Sequence, residues 1–177
     1  MKLLLLFATS VLLFPFALNA QQNSIKFSRD SLSILLLDDT LSTAYLSEVF
    51  RNHQSTKVLN IEIAEEGWVG YGYMEGVVSK VSVGQHIEIP ETIGLMTGLT
   101  SLSLPGLGLK QLPQSLFTLP HLETLDISFN DLDLWAEVEK LANLKKLRTL
   151  KAYGASMSEG EYLKSSFPQT RILFRQR

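Results

Sequence analysis

Leucine and isoleucine return at fixed offsets through the second half of this 177-residue chain, and that recurrence restricts the fold more than any other feature. Leu99, Leu102, Leu104, Leu107 and Leu109 spell L-x-x-L-x-L-x-x-L-x-L, and Leu112, Pro113, Leu116 and Leu119 complete the unit. The same frame reappears 23 residues later at Leu122, Leu125, Ile127, Asn130 and Leu132. A unit of this length is one strand and one return segment, too small to bury its apolar side chains alone, so successive units must stack into a solenoid.

The frame extends in both directions. Val58-x-x-Ile61-x-Ile63 and Val78-x-x-Val81-x-Val83 read as degenerate strands, and Ile89-Pro90 with Ile93 echoes Leu112-Pro113 with Leu116. Leu147, Leu150 and Ala152 restart the pattern downstream. First positions at Val58, Val78, Leu99, Leu122, Leu147 and Gln169 give steps of 20, 21, 23, 25 and 22, the last unit serving as a cap. The expected fold class is α/β, with about five to six parallel strands on a concave face and helices or turns on the convex one.

Local signals place the remaining elements. Asp133 can cap a helix over residues 134–142, and Ser158 with Glu161 forms an S-x-x-E capping box for a last helix ending before Pro168. Ile172 and Phe174 supply a closing strand. Upstream, residues 32–37 form a short apolar run suited to a first strand. Thr40 can cap a helix through about Asn52, with Leu41, Tyr45 and Val49 facing inward. Residues 65–75, with Trp68, Tyr71 and Tyr73 among glycines, read as an irregular aromatic connection.

Residues 1–20 read as an export leader: Lys2 is the positive end, residues 3–16 the apolar stretch, and Ala17-Leu18-Asn19-Ala20 the cleavage site. Thr9, Ser10 and Pro15 interrupt that stretch, which is shorter than the roughly 20 residues a membrane-spanning helix needs, so cleavage is expected over anchoring. The expected division is a leader over 1–20, an N-terminal extension with a capping helix over 21–57, and repeats with a C-terminal cap over 58–177. The product would be periplasmic, cell-surface or secreted, with no stable membrane insertion after cleavage.

Composition narrows the chemistry. Without Lys2 the chain holds 15 basic and 18 acidic residues, net −3, which supplies no counterion-release drive toward nucleic acid. Cysteine is absent, so disulfides, thiolate catalysis and cysteine-ligated zinc are all excluded and stability must come from packing. His53, His86 and His121 fall in separate segments without metal-ligand spacing, so no metal is expected. The acidic pairs Asp38-Asp39, Glu65-Glu66 and Asp131/Asp133 suit turns and caps. No nucleophile elbow, phosphate loop or dinucleotide fingerprint occurs, and neither catalysis nor a cofactor is expected.

From Val58 onward the chain resembles the exported bacterial leucine-rich-repeat proteins: Leu125-Asp126-Ile127-Ser128-Phe129-Asn130 is close to that family's L-D-L-S-x-N, and Ile89-Pro90 and Leu112-Pro113 to its L-P. The resemblance implies a scaffold that recognises a protein or peptide through the concave face. It also implies that Asn130 satisfies backbone groups at the turn leaving its strand, although the matching slots hold His86, Leu107 and Ala155. Strand alternation sends Leu102, Leu104, Leu125 and Ile127 inward and their neighbours outward. Projected on that frame, the candidate binding residues are Lys80, Ser103, Asp126, Ser128, Phe129, Lys151 and Tyr153, with Phe129 and Tyr153 as aromatic anchors. The alternative is a structural or accessory subunit of an envelope assembly.

Overall fold

A computed structural model describes residues 24–36, 43–63, 73–74, 77–78 and 87–174. Its strands are β1 (Ser24–Ser28), β2 (Ser31–Leu36), β3 (Val58–Ile63), β4 (Tyr73–Met74), β5 (Val77–Val78), β6 (Ser101–Ser103), β7 (Thr124–Asp126), β8 (Thr149–Lys151) and β9 (Arg171–Leu173). Three α-helices accompany them: α1 (Thr43–Asn52), α2 (Leu134–Leu141) and α3 (Met157–Ser166). Short 3-10 turns at Glu91–Leu95 and Gln114–Thr118 take the place of helices between β3 and β7. One open seven-stranded sheet runs β1-β2-β3-β6-β7-β8-β9, parallel throughout except for the antiparallel edge strand β1.

Register explains why those strands are neighbours. Leu32, Leu59, Leu102, Leu125, Leu150 and Ile172 lie side by side across six parallel strands, five of them with no exposure and Ile172 at 8%. Ile34, Ile61, Leu104 and Ile127 are buried along with them. Burying an aliphatic side chain contributes roughly 1.5–3 kcal/mol, and these rows do so only because a neighbouring strand covers each flank. The 3-10 turns pack equally closely: a Cβ on Gly94 would lie 2.7 Å from the Ser115 Cβ. There the Glu91 carboxylate reaches across to the next turn, accepting from the N–H of Gln114 at 2.9 Å and of Ser115 at 2.8 Å.

The N-terminal part departs from expectation. Strand β2 pairs in parallel with β3, so the sheet passes without a break through the expected 57/58 boundary. Strand β3 pairs directly with β6 across a 43-residue step, leaving no place between them for a strand at 78–83. Val77–Val78 instead pairs antiparallel with Tyr73–Met74 in a separate two-stranded sheet, and residues 79–83 lie outside the described residues. The count of parallel strands is still six, with β2 supplying the one that residues 78–83 do not.

The frame of β3 also moves. Leu59, not Ile61, stands opposite Leu102, which makes buried Thr56 the first position of its unit in place of Val58. Both Thr56-x-x-Leu59-x-Ile61 and Val58-x-x-Ile61-x-Ile63 fit the pattern, and pairing selects the former. A slip of two residues preserves parity, so Asn60 stays on the polar face.

Helix boundaries follow the caps. Asp133 accepts from the N–H of Trp135 and Ala136 at the start of α2, as the sequence predicts. The capping box of α3 is Ser156 with Glu159, two residues before the expected Ser158 with Glu161. Gly154, at φ 90, turns the chain immediately after β8 and lets the helix begin earlier. Gly160 then abuts the Phe174 ring, leaving no room for a Cβ. In α1 the buried residues are Leu46, Val49 and Phe50, whereas Tyr45 is 39% exposed, contrary to its expected inward placement. Leu41 and Thr40 lie outside the described residues.

Candidate functional site

Strand alternation leaves two rows of side chains on the face of the sheet opposite the helices. One row is Ser31, Val58, Ser101, Thr124, Thr149 and Arg171; the other is Ser33, Asn60, Ser103, Asp126, Lys151 and Leu173. Parallel strands hold such rows about 4.8 Å apart. Small hydroxyl and amide side chains dominate, which keeps the face shallow and close to the backbone.

An ion pair bridges β7 and β8 on this face. Lys151 Nζ lies 3.3 Å from Asp126 Oδ2, with Lys151 40% and Asp126 13% exposed. Asp126 Oδ1 accepts from the Ser128 N–H at 3.0 Å. The carboxylate is thus engaged on both oxygens, while the ammonium keeps an open side toward solvent.

Beyond the C-terminal ends of β6, β7 and β8 the chain turns in the same way three times. Gly106, Phe129 and Gly154 each sit three residues past the paired Ser103, Asp126 and Lys151, with φ of 67°, 59° and 90°. Positive φ suits glycine and costs an L-residue about 1–2 kcal/mol, so Phe129 occupies a slot for which both neighbours use glycine. The Phe129 N–H donates to the Tyr153 carbonyl at 2.7 Å, and the two rings stack with centroids 6.4 Å apart. Gly154 makes room for this: a Cβ there would stand 3.0 Å from Phe129 Cδ1.

Asn130 anchors the turn from below. Its Oδ1 accepts from the N–H groups of Leu107 and Leu109, and its Nδ2 donates to the carbonyls of Leu104 and Ile127 at 2.7 and 3.0 Å. Because the amide reaches back into the preceding coil, Leu107 can fill the equivalent slot there without leaving backbone groups unpaired. One asparagine serves two turns.

Bordering the aromatic pair is a small open hollow of about 30 Å³. Phe129, Asn130, Leu132, Tyr153, Gly154 and Ala155 are among the residues lining it, and Glu159 of the α3 capping box also borders it. Trp135 and Met157, in the first turns of α2 and α3, are 49% and 48% exposed, and Trp135 stacks on Tyr162 at 4.2 Å.

Of the sequence-predicted site residues, Ser103, Asp126 and Lys151 form one continuous row, and Phe129 and Tyr153 form the pair at its edge. Ser128 is corrected: it is 2% exposed, and its hydroxyl accepts from the Tyr153 N–H at 3.1 Å, so it builds the turn instead of offering a contact. Lys80 lies outside the described residues. Arg171 joins the face through its pairing with Thr149, although the sequence reading passed over it. The inward assignment of Ile172 carried the signal, because a strand neighbour must then point outward.

Lys26 and Glu62 share the outward parity of Ser33 and Asn60 on this face, whereas His53 and His121 lie apart from it. His121 Nδ1 is 2.9 Å from Lys146 Nζ, and the His53 ring packs 5.0 Å from that of Phe27. Among the described residues no group of three His, Asp or Glu side chains is placed to hold a metal ion, and no helix is long and apolar enough to cross a membrane. No protein-family model matches the chain, and no curated protein matches it.

Proposed function

We propose that this chain is an exported, non-catalytic recognition module, a short leucine-rich-repeat solenoid that binds a protein or peptide on its concave sheet face. What carries the proposal is the continuous row through Asn60, Ser103, Asp126 and Lys151, with the stacked Phe129–Tyr153 pair just beyond the ends of β7 and β8. Stepped spacings of 23 and 25 residues between β6, β7 and β8, the Leu-Pro turns and the buried Asn130 support the leucine-rich-repeat assignment. A face held by backbone pairing is ordered before any partner arrives, so binding loses little conformational entropy. Small polar side chains would set register along the partner, and Tyr153, 37% exposed, would supply anchoring area.

The test is crosslinking in the native host, identification of the captured protein, and measurement of its affinity for Tyr153→Ala and Lys151→Glu. Weakening of about tenfold in either variant supports the face. Unchanged affinity in both places the contact elsewhere.

A structural role in an envelope assembly is favoured by a different observation. Phe27 and Ile25 on the edge strand β1 are 57% and 39% exposed, a combination that suits lateral packing against another subunit. Light scattering on the purified protein separates the two roles, since a stable homo-oligomer that buries the polar face contradicts recognition there.

A further inference from the structure

The hollow beside Tyr153 has a chemistry of its own. Among the described residues that line it, Glu159 is the one charged side chain, set against the rings of Phe129 and Tyr153 and the apolar Leu132 and Ala155. Glu159 satisfies the α3 cap with a single oxygen: Oε2 accepts from the Ser156 N–H at 2.8 Å and the Ser156 hydroxyl at 2.6 Å. Among the described residues no hydrogen bond reaches its Oε1. The helix therefore fixes the carboxylate in position without consuming its second acceptor.

Nearby cations are occupied elsewhere. Lys151 pairs with Asp126 on the sheet face, and Lys164 pairs with Glu161 at 3.2 Å and lies 4.8 Å over the Phe174 ring. Neither lines the hollow. The positive end of α3 opposes a cation there, but it amounts to about half a charge against a full carboxylate, and Ser156 Oγ already accepts from the Glu159 N–H.

We propose that this hollow receives the side-chain head of an arginine on the protein or peptide partner. The assignment rests on the recognition role proposed above and names the chemistry of that partner's anchor. A guanidinium is flat, weakly hydrated and always charged, so it can lie against the Tyr153 and Phe129 rings while donating to Glu159 Oε1. Its methylene stem covers Leu132 and Ala155.

The experiment is NMR titration of the intact protein with the peptide acetyl-Gly-Arg-Gly-amide and with its citrulline counterpart, which has the same shape and no charge. Expected are millimolar binding of the arginine peptide with shifts at Phe129 and Tyr153, and about threefold to fivefold weaker binding of citrulline. Glu159→Gln retains an oxygen for the Ser156 cap and should abolish that discrimination, while Tyr153→Leu should weaken arginine binding by a similar factor. Equal binding of both peptides, absence of shifts at the two aromatic residues, or discrimination that survives Glu159→Gln overturns the assignment. If that happens while Lys151→Glu still weakens the crosslinked partner, the arginine site falls and the recognition role stands; loss of both effects removes the role as well.

Discussion

Replacing Phe129 by glycine and by alanine separates the contribution of its ring from that of its backbone. Both variants lose the same contacts: about 1–2 kcal/mol for a half-buried aromatic side chain and about 0.5–1.5 kcal/mol for the stack on Tyr153. Those losses cancel when the two variants are compared with each other. What remains is the φ of 59° at this position, matched by glycine in the equivalent slots 106 and 154. Holding alanine there costs about 1–2 kcal/mol, while glycine gives up about 0.4–1 kcal/mol through the greater freedom of its unfolded chain. Glycine should therefore lead alanine by about 0.5–1 kcal/mol, the reverse of the usual order of these two residues. In a urea titration with a slope near 2 kcal/mol per molar, that is a midpoint higher by about 0.3–0.5 M for Phe129→Gly. An alanine variant as stable as the glycine variant, or more so, refutes the left-handed turn and with it the equivalence of the three exit turns.

Three further outcomes follow from the same coils. Leu125→Ala removes a fully buried side chain flanked by Leu102 and Leu150, and should cost about 2–5 kcal/mol in urea unfolding; an unchanged midpoint would displace Leu125 from the core. Asn130→Leu leaves the N–H groups of Leu107 and Leu109 and the Leu104 carbonyl without their partners, so a loss of about 3 kcal/mol or more is expected, with faster amide exchange at Leu107 and Leu109 as the local signature. The Ser115 hydroxyl and N–H, followed by the Gln114 N–H, hold the Glu91 carboxyl below its usual value of 4.5. The stability this adds is complete above that value and disappears as pH falls through the lower folded value, so Glu91→Gln should unfold earlier than the parent at neutral pH and converge with it in acid. A gap that stays constant down to pH values below the carboxylate range contradicts the pairing.

Some of the candidate site could be read from spacing alone, and some could not. The row Ser103, Asp126 and Lys151 follows from alternation around leucines whose frame is unambiguous. Ser128 shares that parity, yet its position at the turn brings it under the Tyr153 backbone, a contact between residues 25 positions apart that no local pattern contains. Two S-x-x-E pairs overlap here, Ser156 with Glu159 and Ser158 with Glu161, and the position of the Gly154 turn favours the first.

Sequence by itself determined which side chains enter the core from β6 to β9, where α2 starts, and that neighbouring coils must share one apolar interior, because each of these depends on periodicity or on a cap within a few residues. Tertiary structure decided which strand stands beside which: that β2 extends the sheet, that β3 meets β6 over a 43-residue step, and that Leu59 faces Leu102. Two frames separated by two residues place the same faces inward and have nearly equal local merit. The choice between them belongs to the neighbouring strand, whose hydrogen bonds and buried leucines accept only one.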